Sequence, residues 1–366
     1  MKRDFLPWTK PILYGQEKVY LVDALDSTWI SGGQYVNKFE EEFTRYNGSH
    51  YGITTSNGTT ALQLALLGMD IGPDDEVIVP GFTFVAPVNM VIGAGATPVY
   101  VDIDPFTWCI NPDLIEKSIT DKTKAIIVVH VYGNICEMDI IKKLAQKHGL
   151  SIIEDAAEAT FSKYKGKYAG TFGDIGCFSF QATKTIAMGE GGLVMTDNEK
   201  LYNKMKIIRD HGMRQGKRYW HDMIGYNFRL TNLQAAVGCG QLENLKTVLS
   251  DRKRVYEKYI KCLADEPGIT LQCFKPEVDP IVWAIAVKVD LNIFSGDRDF
   301  LMKALNDVGI ETRPGFYPLS DMPLYNAPLL PVSYNVGRNV ISLPSFTSLT
   351  GEEIVFICDQ LKKLRK

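Results

Sequence analysis

Residues 58–104 read GTTALQLALLGMDIGPDDEVIVPGFTFVAPVNMVIGAGATPVYVDID, and their apolar pattern alternates between two periods. GTTALQLALLGMDI repeats as a helix and is closed by Gly72-Pro73. DEVIVP is a short β-rich run, TFVAPVNMVIGAG is helical again, and TPVYVDID is a second strand. Strands separated by helices form parallel sheets covered on both faces, so this stretch predicts an α/β fold.

The alternation continues outward. NPDLIEKSI reads as a helix with Asn111 as N-cap. KAIIVVHVYG is a strand, MDIIKKLAQKHG a helix closed by Gly149, and LSIIEDAA a strand. GDIGCFSF and GGLVMTD follow as two strands with no helix between them. From Thr231 to about Leu263 one long helical pattern runs with few breakers. PIVWAIAVKVD, a helix around DRDFLMKALNDVG, and NVISLP predict a smaller α+β unit. At 366 residues two domains are expected: a large one over 1–250 with an N-terminal arm, and a small one over 251–366.

Composition narrows the class. The net charge of −3 offers no basic excess for nucleic acid or an anionic membrane. Seven scattered cysteines without CxxC spacing argue against a metal site and for a reduced, cytoplasmic setting. No apolar run is long enough to span a bilayer. Asp4, Pro7 and Lys10 interrupt the opening segment, which does not read as a secretory signal.

Ligands of open α/β sheets sit beyond the carboxyl ends of the strands. SNGTTAL (56–62) opens a helix there, and its free N–H groups with Thr59 and Thr60 suit a phosphate, or simply cap the helix. IIEDAAEA places Asp155 and Glu158 at a strand end, as caps or as partners of a cationic ligand atom. FSFQATKTIAMGEGG (178–192) carries Lys184 just past an apolar strand. Such a lysine either reaches out to solvent or loses hydration, which favours a neutral, nucleophilic amine able to condense with an aldehyde. Phe84, after DEVIVP, is core packing or a stacking face for a flat ring. GEGG lacks dinucleotide-binding spacing and reads as a tight turn close to the same loops. Phosphate cradle, carboxylate, reactive amine and stacking ring are together what pyridoxal 5′-phosphate needs.

These blocks, with LDSTWISGG, GATPVYVDID, RYWHDMIGYNFRLTNLQAA, ETRPGFYPLSDMPLY and LPSFTSL, resemble the DegT/DnrJ/EryC1/StrS family of pyridoxal-phosphate-dependent nucleotide-sugar aminotransferases. The resemblance covers nearly the whole chain. It implies the aspartate-aminotransferase-like fold (fold type I), with a large, mixed, mostly parallel seven-stranded sheet domain and a small α+β C-terminal domain. It also implies roles. Lys184 matches the lysine that binds the cofactor aldehyde, and Asp155 the carboxylate paired with the ring nitrogen. Ser179, Thr59 and Thr60 match the phosphate ligands, Phe84 the stacking position, and Glu158 the position near the ring hydroxyl. Asn227 and Arg229 match residues that reach the cofactor phosphate of a neighbouring subunit, so a homodimer with shared sites is expected. L-Glutamate is the implied amino donor.

The YWHDMIGYNFRLTN and ETRPGFYP blocks place the likeness nearest to enzymes that aminate GDP-4-keto-6-deoxymannose at C4. For the nucleotide sugar, Arg214, Lys217, Arg218, His221 and Arg313 are candidate pyrophosphate partners, with Trp29 and Ser31 candidate sugar contacts. The alternative for the charged segment is a solvated loop. Asn134, Glu137 and Gln181 to Thr183 depart from that branch and leave UDP- or dTDP-4-keto-6-deoxyglucose as the alternative substrate. Two other outcomes are disfavoured. Sugar 3-dehydratases of the family carry histidine at the lysine position, and a non-catalytic regulator would be expected to lose Lys184, Asp155 or the phosphate ligands.

Overall fold

A computed structural model of the chain describes residues 5–214 and 216–366. Residues 1–4 of the expected N-terminal arm, and Gln215 within the 213–222 segment, lie outside the described residues.

The first nine strands are β1 (Tyr51–Thr55), β2 (Glu76–Pro80), β3 (Thr97–Val101), β4 (Thr123–Val129), β5 (Ser151–Asp155), β6 (Lys163–Tyr164), β7 (Lys167–Tyr168), β8 (Ile175–Ser179) and β9 (Gly192–Thr196). Seven of them form one sheet in the order β1-β9-β8-β5-β4-β2-β3. Strand β9 runs antiparallel to both neighbours and the other pairings are parallel. The sheet is mixed and mostly parallel, as expected. Its strands are apolar on both faces because both are covered. Ile78, Ile126 and Val128 face one core, while Val77, Val79, Ala125 and Ile127 face the other.

The helices over this sheet are α1 (Gln16–Asp26), α2 (Gln34–Asn47), α3 (Gly58–Gly68), α4 (Ala86–Gly93), α5 (Pro112–Ile115), α6 (Met138–His148), α7 (Glu199–Arg209) and α8 (Asn232–Glu243). Helix α9 (Leu245–Leu263) follows and carries Leu245 in one large-sheet core but Val255, Tyr259 and Leu263 in a third core. That third core belongs to a four-stranded antiparallel sheet of β10 (Ile269–Leu271), β12 (Ile285–Val289), β13 (Arg313–Pro314) and β14 (Val340–Leu343), ordered β10-β12-β14-β13. Helices α10 (Arg298–Asp307), α11 (Pro331–Asn339) and α12 (Gly351–Lys362) accompany it. Strand β11 (Val278–Asp279) joins β6 and β7 in a small third sheet. The expected division at residue 250 falls inside α9, and we propose that the two units part along that helix.

Three expectations need correction. The helical pattern from 231 to 263 is two helices, broken at Asn244 (φ −100°, ψ 13°). Its side chain donates to Gly240 O at 3.1 Å, a local bond that competes with continued helix. Helix α4 begins at Ala86 instead of Thr83, because Pro87 lacks an N–H and is tolerated only in the first turn. NPDLIEKSI folds as one four-residue α-turn and a 3₁₀ turn over Glu116–Ser118. Among the described residues no helix is long and apolar enough to cross a membrane.

Candidate active site

The carboxyl ends of β1, β2, β5 and β8 open on one cavity of about 730 Å³. Strand β5 ends in Asp155 and β8 in Ser179, and both line it. Beyond β1, Asn57 caps α3. Its side chain accepts from Thr60 N at 2.9 Å, and Thr60 Oγ1 accepts from Asn57 N at 3.1 Å. The Thr60 hydroxyl thus closes the capping box, while Gly58 and Thr59 bring the helix start to the cavity wall. A Cβ at Gly58 would lie 2.8 Å from Ser179 Cβ, so only glycine lets this helix start close on the serine. In the GEGG turn, Gly189 is left-handed (φ 87°), and a Cβ at Gly192 would fall 2.3 Å from Asn57 O.

Lys184 enters the same cavity. Its side chain is 13% exposed, and Nζ stands 3.9 Å from Glu158 Oε1. Glu158 is buried, and its Oε2 accepts from Tyr132 N at 2.9 Å. Asp155 is buried too and its Oδ1 accepts from Ala157 N at 3.1 Å. Burial pulls the Lys184 amine below the ordinary lysine range, against the pull of Glu158 and Asp155. Burial also raises both carboxyls, opposed by Lys184, and Glu158 reaches about 7. Behind Asp155, His130 Nδ1 accepts from Cys136 N at 3.3 Å, which leaves Nε2–H to donate to Glu154 at 2.9 Å. Glu154 also accepts from the backbone of Gly170, Phe172 and Gly173. It is therefore a scaffold for the turn after β7, facing away from the cavity that Asp155 lines.

Phe84 lines the cavity and is 55% exposed, which leaves a ring face available to a flat ligand. The residues present fit pyridoxal 5′-phosphate. At the α3 start, which Gly58 lets close on Ser179, an anion would meet the N-terminus of a helix. Among the described residues nothing hydrogen-bonds to the Lys184 amine, which is free for an aldehyde. Asp155 is the buried carboxylate that a protonated ring nitrogen would hold ionised. Three walls escaped the sequence reading: Trp8, Trp283 and Phe316. Each lies far along the chain from Lys184, and each reads locally as an ordinary arm, strand or loop residue.

Of the residues proposed for the sugar, Arg313 alone lines this cavity, and it pairs with Glu311 at 2.5 Å. Arg214 is held by Asp222 (2.7 and 2.6 Å), Lys217 lies 3.8 Å over the Trp220 ring, and His221 faces His211 O. Arg218, Trp29 and Ser31 are exposed away from the cavity. Asn227 and Arg229 are exposed as well, and Arg229 pairs with Asp210. The departures from the branch pattern separate. Gln181 and Thr183 line the cavity. Asn134 is buried structure, donating to Thr107 O and Cys273 O, and Glu137 pairs with Lys275.

Residues 12–362 match the model of the DegT/DnrJ/EryC1/StrS aminotransferase family. The chain belongs to that family. It is 43% identical to the GDP-perosamine synthase of Escherichia coli O157:H7, covering 98% of both chains, and 42% identical to that of Caulobacter vibrioides, covering 94% of both. Among solved structures it resembles S. venezuelae DesV in complex with a ketimine intermediate (TM-score 0.93, 33% identity, 99% and 98% covered). It also resembles Spr1654 of Streptococcus pneumoniae in its PLP form (TM-score 0.93, 28% identity, 100% and 98% covered). The fold is therefore that of the pyridoxal-phosphate sugar aminotransferases, and the protein is an enzyme of that class.

Proposed function

We propose that the chain transfers the amino group of L-glutamate to C4 of GDP-4-keto-6-deoxymannose, giving GDP-perosamine. The observation that carries this is the buried Lys184–Glu158–Asp155 group at a phosphate cradle, in a chain 38–43% identical to GDP-perosamine synthases over nearly full length.

Pyridoxal 5′-phosphate, when bound, supplies an aldehyde for amine exchange and a ring that takes up the electron pair released at the donor carbon. The chain does the rest. Gly58, Thr59 and Ser179 would hold the phosphate, and Phe84 would cover one ring face. Asp155 would keep the ring nitrogen protonated. Lys184 would hold the aldehyde through its amine, and Nζ, once free, would take the proton from the donor Cα and return it, as base and then acid. Glu158, fixed by Tyr132 N–H, lies within charge reach of that amine. In the second half-reaction the same lysine serves the sugar C4.

The active unit we propose is a homodimer. Arg229 and Asn227 are exposed outside the cavity of their own chain, which supports a role at the site of a second copy. Helix α1 and the loop after it expose Val19, Val22, Leu25, Trp29 and Ile30, apolar side chains that burial against a protein surface would cover. Arg214, Lys217, Arg218 and His221 would then meet the nucleotide sugar at the partner's site.

Purified protein with glutamate and a panel of nucleotide 4-keto-6-deoxysugars tests the substrate. GDP-4-keto-6-deoxymannose should have the highest specificity constant. A value at least tenfold higher for the UDP or dTDP sugar, about 1.4 kcal/mol of transition-state preference, rejects the assignment and leaves the aminotransferase class standing.

A further inference from the structure

The Lys184 amine has a second close neighbour besides Glu158. Nζ lies 3.7 Å from the ring centroid of Trp283, over its face. Glu158 Oε1, at 3.9 Å, is beyond hydrogen-bond range, so the indole face is the shorter contact.

The ring is held in that position from several sides. Its indole N–H donates to Thr183 O at 2.7 Å, one residue before the lysine. Its backbone N–H donates to Tyr132 O at 3.2 Å, and its carbonyl accepts from Arg252 Nη1 at 2.9 Å. Nη2 of the same buried guanidinium reaches Lys184 O at 3.4 Å. Tyr132 stacks on the ring (6.2 Å, 22°) and Trp8 meets it edge-on (5.7 Å, 88°). The backbone carbonyls of Lys184 and Trp283 are thus tied to one guanidinium, and the indole N–H to the residue before the lysine. Packing alone does not require an aromatic face to be locked beneath an amine.

We propose that Trp283 is a positioning residue that seats the Lys184 side chain as an ammonium, holding the proton taken from the amino donor until it is returned. The inference rests on the aminotransferase reading and is independent of which sugar is used. The lone pair of Nζ accepts the proton, the face of the indole attracts the resulting cation, and the same proton is later given up, so nothing is consumed. An aromatic face binds an ammonium more strongly as water is removed from around it, and the Lys184 side chain is only 13% exposed. The charges around the amine are known. Glu158 and Asp155 lie on the β5 side, with His130 behind Asp155 and the Tyr132 phenol buried nearby. Arg252 approaches the Lys184 carbonyl, and Arg313 and Glu190 line the outer cavity. Burial weakens the proton's hold on Nζ, the two carboxylates strengthen it, and the ring works on their side.

The test uses the full chain loaded with pyridoxamine 5′-phosphate, in which the lysine amine is free. Trp283 is replaced by mono-, di- and trifluorotryptophan, which keep the shape and the N–H while draining charge from the ring face. The pH midpoint for acetic anhydride labelling of Lys184, read by mass spectrometry, should fall stepwise, by about half a unit or more across the series. In Trp283→Leu, kcat should fall at least tenfold with KM for glutamate little changed. A flat labelling series overturns the proposal and leaves Trp283 as packing, whatever happens to kcat. If Trp283→Leu does not fold, the fluorinated series still decides. No sugar enters the labelling, so a wrong substrate assignment leaves the result intact.

Discussion

At Lys184 the chain places a buried amine that faces the Trp283 ring and two carboxylates without a hydrogen bond among the described residues. Sodium borohydride should fix the cofactor covalently on this residue, and Lys184→Ala should lose turnover while still binding pyridoxamine 5′-phosphate. Normal transamination by that variant would remove the central assignment. Glu158 gives a stability prediction with a definite sign. Its carboxyl is raised by burial from 4.5 to about 7, so between those values the folded chain binds more protons than the unfolded one. Stability then falls as pH rises through this window, the reverse of the usual salt-bridged carboxylate. Glu158→Gln removes the titration. In cofactor-free protein, urea unfolding should show the wild type losing roughly 2–3 kcal/mol relative to the variant between pH 5 and pH 8. A constant difference across that range would mean Glu158 is ionised throughout.

Among the elements, the start of α3 is the most exacting. Gly58 closes on Ser179, and adding one methyl forces the helix start and the serine apart. Gly58→Ala should weaken cofactor binding about tenfold, roughly 1.4 kcal/mol, as read by equilibrium dialysis. Asn57→Ala should instead cost about 1 kcal/mol of fold stability through the lost cap. Unchanged affinity in Gly58→Ala would place the phosphate elsewhere. The helix start and its place at the cavity were legible because small and hydroxyl residues ahead of an apolar helical run mark a capped N-terminus. The same holds for Asp155 and Lys184, each beside a strand whose period is plain. Strands β6, β7 and β11 were not legible, since two residues carry no period. The break at Asn244 was missed because Leu242, Leu245 and Leu249 keep the apolar spacing across it. Trp283 and Phe316 reach the site through the second sheet, by contacts that no local spacing encodes.

For the whole molecule, the cradle of Gly58, Thr59 and Ser179 carries no cation of its own, so a cationic contact to a phosphate there would have to come from another part of the assembly. Within one chain, Arg229 is exposed, outside the cavity, and held by Asp210, so it contributes nothing to its own site. In a two-fold dimer each site can take its lysine from one chain and its arginine from the other. Lys184→Ala and Arg229→Ala should then each be inactive alone, the second through weak cofactor retention. When the two proteins are unfolded together, refolded and reassembled, half the dimers are mixed. Each mixed dimer has one site with neither group and one with both, so activity should return to roughly a quarter of wild type. Differently tagged chains, purified through both tags, should raise the recovered fraction to about one half. No recovery from verified mixed dimers, or full activity from a protein shown to be monomeric by sedimentation, would mean that each chain completes its own site and that Arg229 serves only the Asp210 pair.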